Sequence, residues 1–172
     1  LLCQMGYKPL LLERGQEVKK RTKQTFGFWK GLRGFDTESN VQFGEGGAGT
    51  FSDGKLYSQI SDPNHYGRKV LEELVLSGAN PEILTLHRPH IGTFKLATVV
   101  RNLRSRIEEL GGEIRFDTRM DRLLINKNTA KSNLGKPYQV VGLELSNGTN
   151  IEARNVILAL GHSARDSFFM LE

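Results

Sequence analysis

The chain has 172 residues, 38% hydrophobic and 25% charged, which suffices for a domain with a core of its own; no apolar run nears the roughly 18 residues of a membrane span. A formal charge of +5 raises a nucleic-acid partner. The excess is local to Lys19-Lys20-Arg21-Thr22-Lys23, however, and lacks the interleaved aromatics of a base-stacking surface, so a solvated helix face is the better reading. Cys3 is the single cysteine, which excludes an internal disulfide, a CxxC redox pair and a cysteine-rich metal site. Any redox chemistry then needs a bound cofactor. Residues 1–6 carry neither a basic leader nor a cleavage site, but the chain opens mid-pattern without an initiator Met, so that absence carries little weight. A soluble compartment, the cytoplasm first with an organelle still open, is the expected setting.

Residues 7–12 read Tyr-Lys-Pro-Leu-Leu-Leu and predict a buried strand closed by the turn Glu13-Arg14-Gly15. Gly6 stands where a helix C-cap would, so helix, glycine and strand read as the second half of a βαβ unit. Its first half would precede Leu1. From Asn40 to Leu56 the chain is glycine-rich.

A helix is predicted over 66–77, with Val70, Leu71, Leu74 and Val75 on one side and Gly78 as its stop. A second is predicted over 95–110, where Leu96, Val99, Val100, Leu103, Ile107 and Leu110 keep helical spacing until Gly111-Gly112. Strands are expected at 113–116, 122–125 and 138–145, with a polar loop over 126–136. Asn147-Gly148 then turns the chain into a return strand over 150–153. The run 155–160, Asn-Val-Ile-Leu-Ala-Leu, has the composition of a central parallel strand.

Glu13 would stand at the carboxyl end of the second strand of a nucleotide-binding βαβ unit. In dinucleotide folds an acid there accepts from two vicinal ribose hydroxyls, since a carboxylate offers two acceptors to two donors. A surface glutamate in a turn is the plain alternative, and spacing alone does not separate the two.

The segment from Gly44 to Leu56 has three readings. A flexible linker fits poorly with Phe43 and Phe51 flanking it and with Asp53 and Lys55 inside it. Gly49 to Lys55 matches G-x-x-x-x-G-K, but Leu56 stands where the metal-binding hydroxyl belongs and no apolar strand leads in. The third reading is a wall of backbone that a flat ligand can approach closely, because Cβ atoms are missing.

Gly161-His162-Ser163-Ala164-Arg165 is one residue short of the G-x-S-x-G nucleophile elbow. Arg165 occupies a position that the strained turn reserves for a small residue, and in hydrolases the acid and histidine follow the serine. His87 and His90 flank a proline, and His65 lies far off; ordinary loop histidines are a better reading than a metal site.

Four blocks in this order resemble a known family. They are Leu11-Leu12-Glu13-Arg14-Gly15 with Val18 and Arg21, the block from Asn40 to Leu56, Pro89-His90-Ile91-Gly92-Thr93, and the block from Leu158 to Asp166. The chain resembles the FAD-dependent dehydrogenases of the two-dinucleotide-binding-domain flavoproteins over essentially its whole length.

The resemblance implies an α/β fold: a partial Rossmann-like FAD/NAD(P)-binding domain over 1–172, with a β-meander and part of an inserted helical region over about 58–88. It implies that Glu13, with Arg14 beside it, takes the ribose, and that Gly44, Gly46, Gly47 and Gly49 lie against the flavin. It places Met120 where such folds clasp the adenine and Gly161 where the last sheet strand passes near the cofactor. Hydride would move to or from the flavin, with a small-molecule substrate and NAD(P)H as a candidate electron donor. No catalytic base is assigned. His162 and Lys55 are candidates only because they stand in motif segments and can carry a proton or positive charge. No metal, nucleic acid or membrane span is expected.

Two departures stand out. The family's Gly-x-Gly-x-x-Gly turn would lie before Leu1, so residues 1–172 alone are expected not to retain FAD, and Phe94 stands where an acid is expected. The readings from other classes are a serine hydrolase built on Ser163 and a basic nucleic-acid-binding module.

Overall fold

The computed structural model of the chain describes residues 1–56, 61–127 and 138–171. Their fold combines four α-helices with one parallel strand pair and one antiparallel sheet. It divides into two compact units, Leu1–Asp117 and Thr118–Glu172.

In the first unit a 3-10 turn over Cys3–Met5 ends on Gly6, whose φ of 86° gives the left-handed cap. Strand β1 is shorter than the apolar run and covers Leu10–Leu12. It pairs in parallel with β2, Glu113–Arg115, in the register Leu10 to Glu113. The expected buried strand is in fact half-exposed. Its only strand partner among the described residues is β2, and the Leu11 side faces outward at 44% exposure.

Helix α1, Val18–Trp29, carries the basic run. Its buried residues Val18, Arg21 and Thr25 follow i, i+3, i+7 spacing and so form one stripe. Lys19, Lys20 and Lys23 are exposed. The solvated-face reading therefore holds for the lysines and is corrected for Arg21, which is fully buried.

Helices α2, Tyr66–Leu76, and α3, Thr93–Glu109, form where the periodicity placed them. Leu71, Leu74 and Val75 pack on a cluster of Ala79, Ile83, Ile91, Leu96 and Val99. Part of the region expected as an insertion thus contributes to the core of this unit. Gly78 at φ 105° ends α2, and the Gly111 and Gly112 amides donate to Glu108 and Ile107 at the end of α3.

The second unit holds an antiparallel sheet ordered β3-β4-β5. Its strands are β3, Met120–Lys127, β4, Tyr138–Leu145, and β5, Asn150–Glu152. Leu143 pairs with Leu123 on one side and Ile151 on the other. Asn126 and Lys127 belong to β3 and not to a loop; the rest of the expected loop, 128–136, lies outside the described residues.

The run 155–160 is not a strand. No neighbour takes up its backbone groups in a ladder among the described residues, and Ile157 is 76% exposed. The chain instead turns at 162–163 into α4, Arg165–Leu171, which packs against β3. No helix of the described residues is long and apolar enough to cross a membrane.

Candidate functional site

The segment 40–51 is organised from below by Arg21. Its Nε donates to the Asn40 carbonyl at 2.6 Å and its Nη2 to the Val41 carbonyl at 2.7 Å. Its Nη1 reaches the Glu45 carbonyl at 2.8 Å, Thr50 Oγ1 at 2.9 Å and the Gly44 carbonyl at 3.3 Å. The planar fork of guanidinium suits this task, since one side chain meets several carbonyls in fixed directions. Burial pulls the Arg21 pKa down to about 10, which leaves it charged at neutral pH. The Phe51 ring lies over the same guanidinium at 4.9 Å.

Glu45 ties the segment to the start of α1. Its Oε2 accepts the Val18 amide at 2.7 Å, so it serves one of the free N–H groups at the helix N-terminus, where no side chain of Glu17 caps. Its Oε1 lies 3.3 Å from Arg104, which also bonds Glu17 at 2.7 Å. Burial pushes the Glu45 carboxyl above its ordinary value, against the pull of the Val18 amide and Arg104. Glu17 is held below its ordinary value, first by the hydrogen bond from Arg104.

Glu13 stands one residue past β1. Its Oε1 accepts the Gly15 amide at 2.9 Å and the Gly44 amide at 3.0 Å, joining the strand end to the glycine-rich segment. Both bonds fall on Oε1; Oε2 makes no hydrogen bond among the described residues. Arg14 is clamped, with Nε and Nη2 on Glu38 Oε2 at 3.0 and 2.9 Å and its guanidinium 4.1 Å above the Phe43 ring.

The four glycines differ in what surrounds them. A Cβ on Gly44 would overlap Arg21 Cδ, and one on Gly46 would overlap Thr50 Cγ2. These two make room for the chain itself. A Cβ on Gly47 or Gly49 would meet nothing within 4 Å, so their backbone faces open space.

A second juncture links the glycine-rich block to the block from Pro89 to Thr93. The Leu56 amide donates to Pro89, Ile91 to Gly54 and Gly92 to Asp53, at 2.9–3.1 Å. Lys55 and His90 form an isolated antiparallel bridge, and His90 Nδ1 lies 3.1 Å from Asp53 Oδ2. The Lys55 side chain is exposed. His90, read from sequence as an ordinary loop histidine, is thus paired with a residue of the glycine-rich block. No periodicity joins positions 37 residues apart, and only their membership of two quoted blocks marked them.

Met120, Gly161 and His162 belong to the second unit. Met120 opens β3, and Gly161 takes φ 74° in the turn ahead of α4, with His162 exposed beside it. Ser163 accepts the Arg165 amide on its carbonyl at 2.9 Å. The strand that a nucleophile elbow needs before it is not formed. Among the described residues no three His, Cys, Asp or Glu side chains group to hold a metal ion.

No protein-family model matches the chain. A protein of Clostridium beijerinckii that carries the name "Uncharacterized protein" is 45% identical over 170 residues. The match takes in 99% of this chain and 29% of that protein, so the chain spans under a third of the length of the curated relative.

Proposed function

We propose that this chain is the ribose-side part of an FAD-dependent oxidoreductase, with a Rossmann-like arrangement around β1. The observation that carries the reading is Glu13: a carboxylate at the carboxyl end of a parallel strand, with Oε1 fixed by two amides and Oε2 left for a hydroxyl donor. The open backbone at Gly47 and Gly49 supports a flat ligand approaching there, and the four blocks quoted above point to the same cofactor. FAD, when bound, supplies the hydride acceptor and donor at its flavin ring.

This chain's residues bind and orient. Glu13 Oε2 holds a ribose hydroxyl, the clamped Arg14–Glu38 pair stiffens the turn beside it, and the Gly47–Gly49 backbone admits the ring edge. Gly44 and Gly46 act behind that surface, by letting Arg21 and Thr50 pack. His162 and Lys55 are assigned no step. A small organic substrate, NAD(P)H as a candidate donor and a cytoplasmic setting complete the reading. Neither Ser163, which lacks its strand, nor the basic run, whose Arg21 is used internally, supports an alternative.

Titrating the whole apoprotein with FAD tests this. Glu13→Ala should weaken binding by about 1.5–3 kcal/mol, the range for hydrogen bonds to a charged group. Glu13→Gln separates the two oxygens: its amide oxygen can still accept from Gly15 and Gly44, so melting should be preserved while FAD binding falls. Unchanged FAD affinity in both variants would remove Glu13 from the site.

A further inference from the structure

Residues 33–42 lie beside the C-terminal half of α1, and between them is a cleft of about 310 Å³ that is open to solvent on one side. Three rings line it. Phe28 and Phe35 meet at 5.3 Å with planes tilted by 60°. Trp29 is held edge-on by Phe26 at 5.2 Å and by Phe51 at 5.8 Å. Pre-set rings of this kind offer contact area at little further ordering cost.

The polar groups of the wall divide into used and unused. Asp36, the one carboxylate in the lining, accepts the amides of Glu38 and Ser39 at 2.9 and 3.1 Å on Oδ1. The Asn40 side chain is fully engaged, donating to Asp36 and Thr37 and accepting from Gln42 and Phe43. Arg33 differs: its guanidinium makes no hydrogen bond or ion pair among the described residues. Its stem lies along α1 at Gly27, close enough that a Cβ there would stand 3.1 Å from Arg33 Cδ. The cation is therefore braced at the cleft by its apolar stem and not by an acid.

We propose that this cleft binds a small aromatic carboxylate, its ring among Phe28, Trp29 and Phe35 and its carboxylate on Arg33. The volume is at the low end of small-molecule sites, which range from roughly 300 to 1,000 Å³, so it takes a single ring. A guanidinium fork is matched to a carboxylate by two parallel hydrogen bonds. None of Glu13, Gly44, Gly46, Gly47 or Gly49 lines the cleft, so the proposal stands apart from the cofactor reading.

Trp29 is the only tryptophan of the chain and reports on the cleft directly. Sodium benzoate titrated into the 172-residue chain should change its fluorescence saturably, whereas benzylamine should not. Arg33→Gln should weaken benzoate binding by about tenfold or more, as expected when a charge-assisted pair is lost, with the circular dichroism spectrum unchanged. Arg33→Lys should retain part of the affinity. No saturable change with benzoate up to roughly 10 mM, a concentration at which even weak binding registers, would overturn the proposal. Equal binding of benzylamine, or benzoate binding indifferent to Arg33→Gln, would overturn it too.

Discussion

Replacing Arg21 with methionine should destabilise the first unit by about 3–5 kcal/mol, the scale of removing one member of a buried charged network. Methionine keeps the stem's volume and apolar contacts but supplies no donor. The carbonyls of Asn40, Val41, Gly44 and Glu45 and the Thr50 hydroxyl would all lose the bonds that Arg21 gives them. A buried acceptor left unmet costs about 1–3 kcal/mol, and the segment can recover some of that only by opening to water. Urea unfolding followed at Trp29, whose ring touches Phe51 at the end of the segment, should show the lowered midpoint. Arg21→Lys should fall between the two, because an ammonium cannot span five acceptors in one plane. A midpoint for Arg21→Met within the error of the parent would mean that the segment is held by other groups.

Gly44→Ala should cost about 2–4 kcal/mol, combining backbone strain with overpacking. Its φ of 116° disfavours any side chain, and the new methyl would overlap Arg21 Cδ. Its neighbour on the other side gives no room: Gly15 approaches so closely that a Cβ there would stand 2.7 Å from Gly44 Cα. The substitution therefore attacks the Arg21 clasp from outside; in an Arg21→Ala background, which removes Cδ, the overpacking part of its cost should vanish and only the backbone strain remain. A double-mutant cycle of melting curves measures this, and simple additivity of the two losses would show that Gly44 and Arg21 are not coupled.

Local pattern made the helices of the first unit legible. Leu96, Val99 and Leu103 keep a 3.6-residue period and Gly111-Gly112 has the composition of a stop, so α3 could be bounded within two residues at either end. The β4–β5 hairpin was as plain, from Asn147-Gly148. What failed was inference about partners. An apolar run such as 155–160 says that six residues tolerate burial, not that a neighbouring strand will pair with them, and here none of the described residues does. Arg21 failed for a different reason. Read as one of a basic run it belongs on the surface, while its i, i+3, i+7 relation to Val18 and Thr25 puts it inside; the spacing was there and the residue type outweighed it. In the candidate site, the strand end marked Glu13 as a candidate, but spacing alone left a surface glutamate in a turn as an equal reading; its bonds to the Gly15 and Gly44 amides needed the structure. The division of the glycines into Gly44 and Gly46, which face the chain, and Gly47 and Gly49, which face space, needs the coordinates of what packs behind them.

That division supplies the most direct test of the cofactor reading. Gly49 has an ordinary φ and open space where a side chain would go, so Gly49→Leu should leave the apoprotein's stability within about 0.5 kcal/mol, as for a surface substitution. If the flavin lies against this backbone, the same side chain occupies its place. Measured by absorbance titration of the whole apoprotein, FAD affinity should fall by at least about tenfold, or 1.4 kcal/mol. An affinity equal to that of the parent, in a variant that melts normally, would contradict the assignment of this surface to the cofactor.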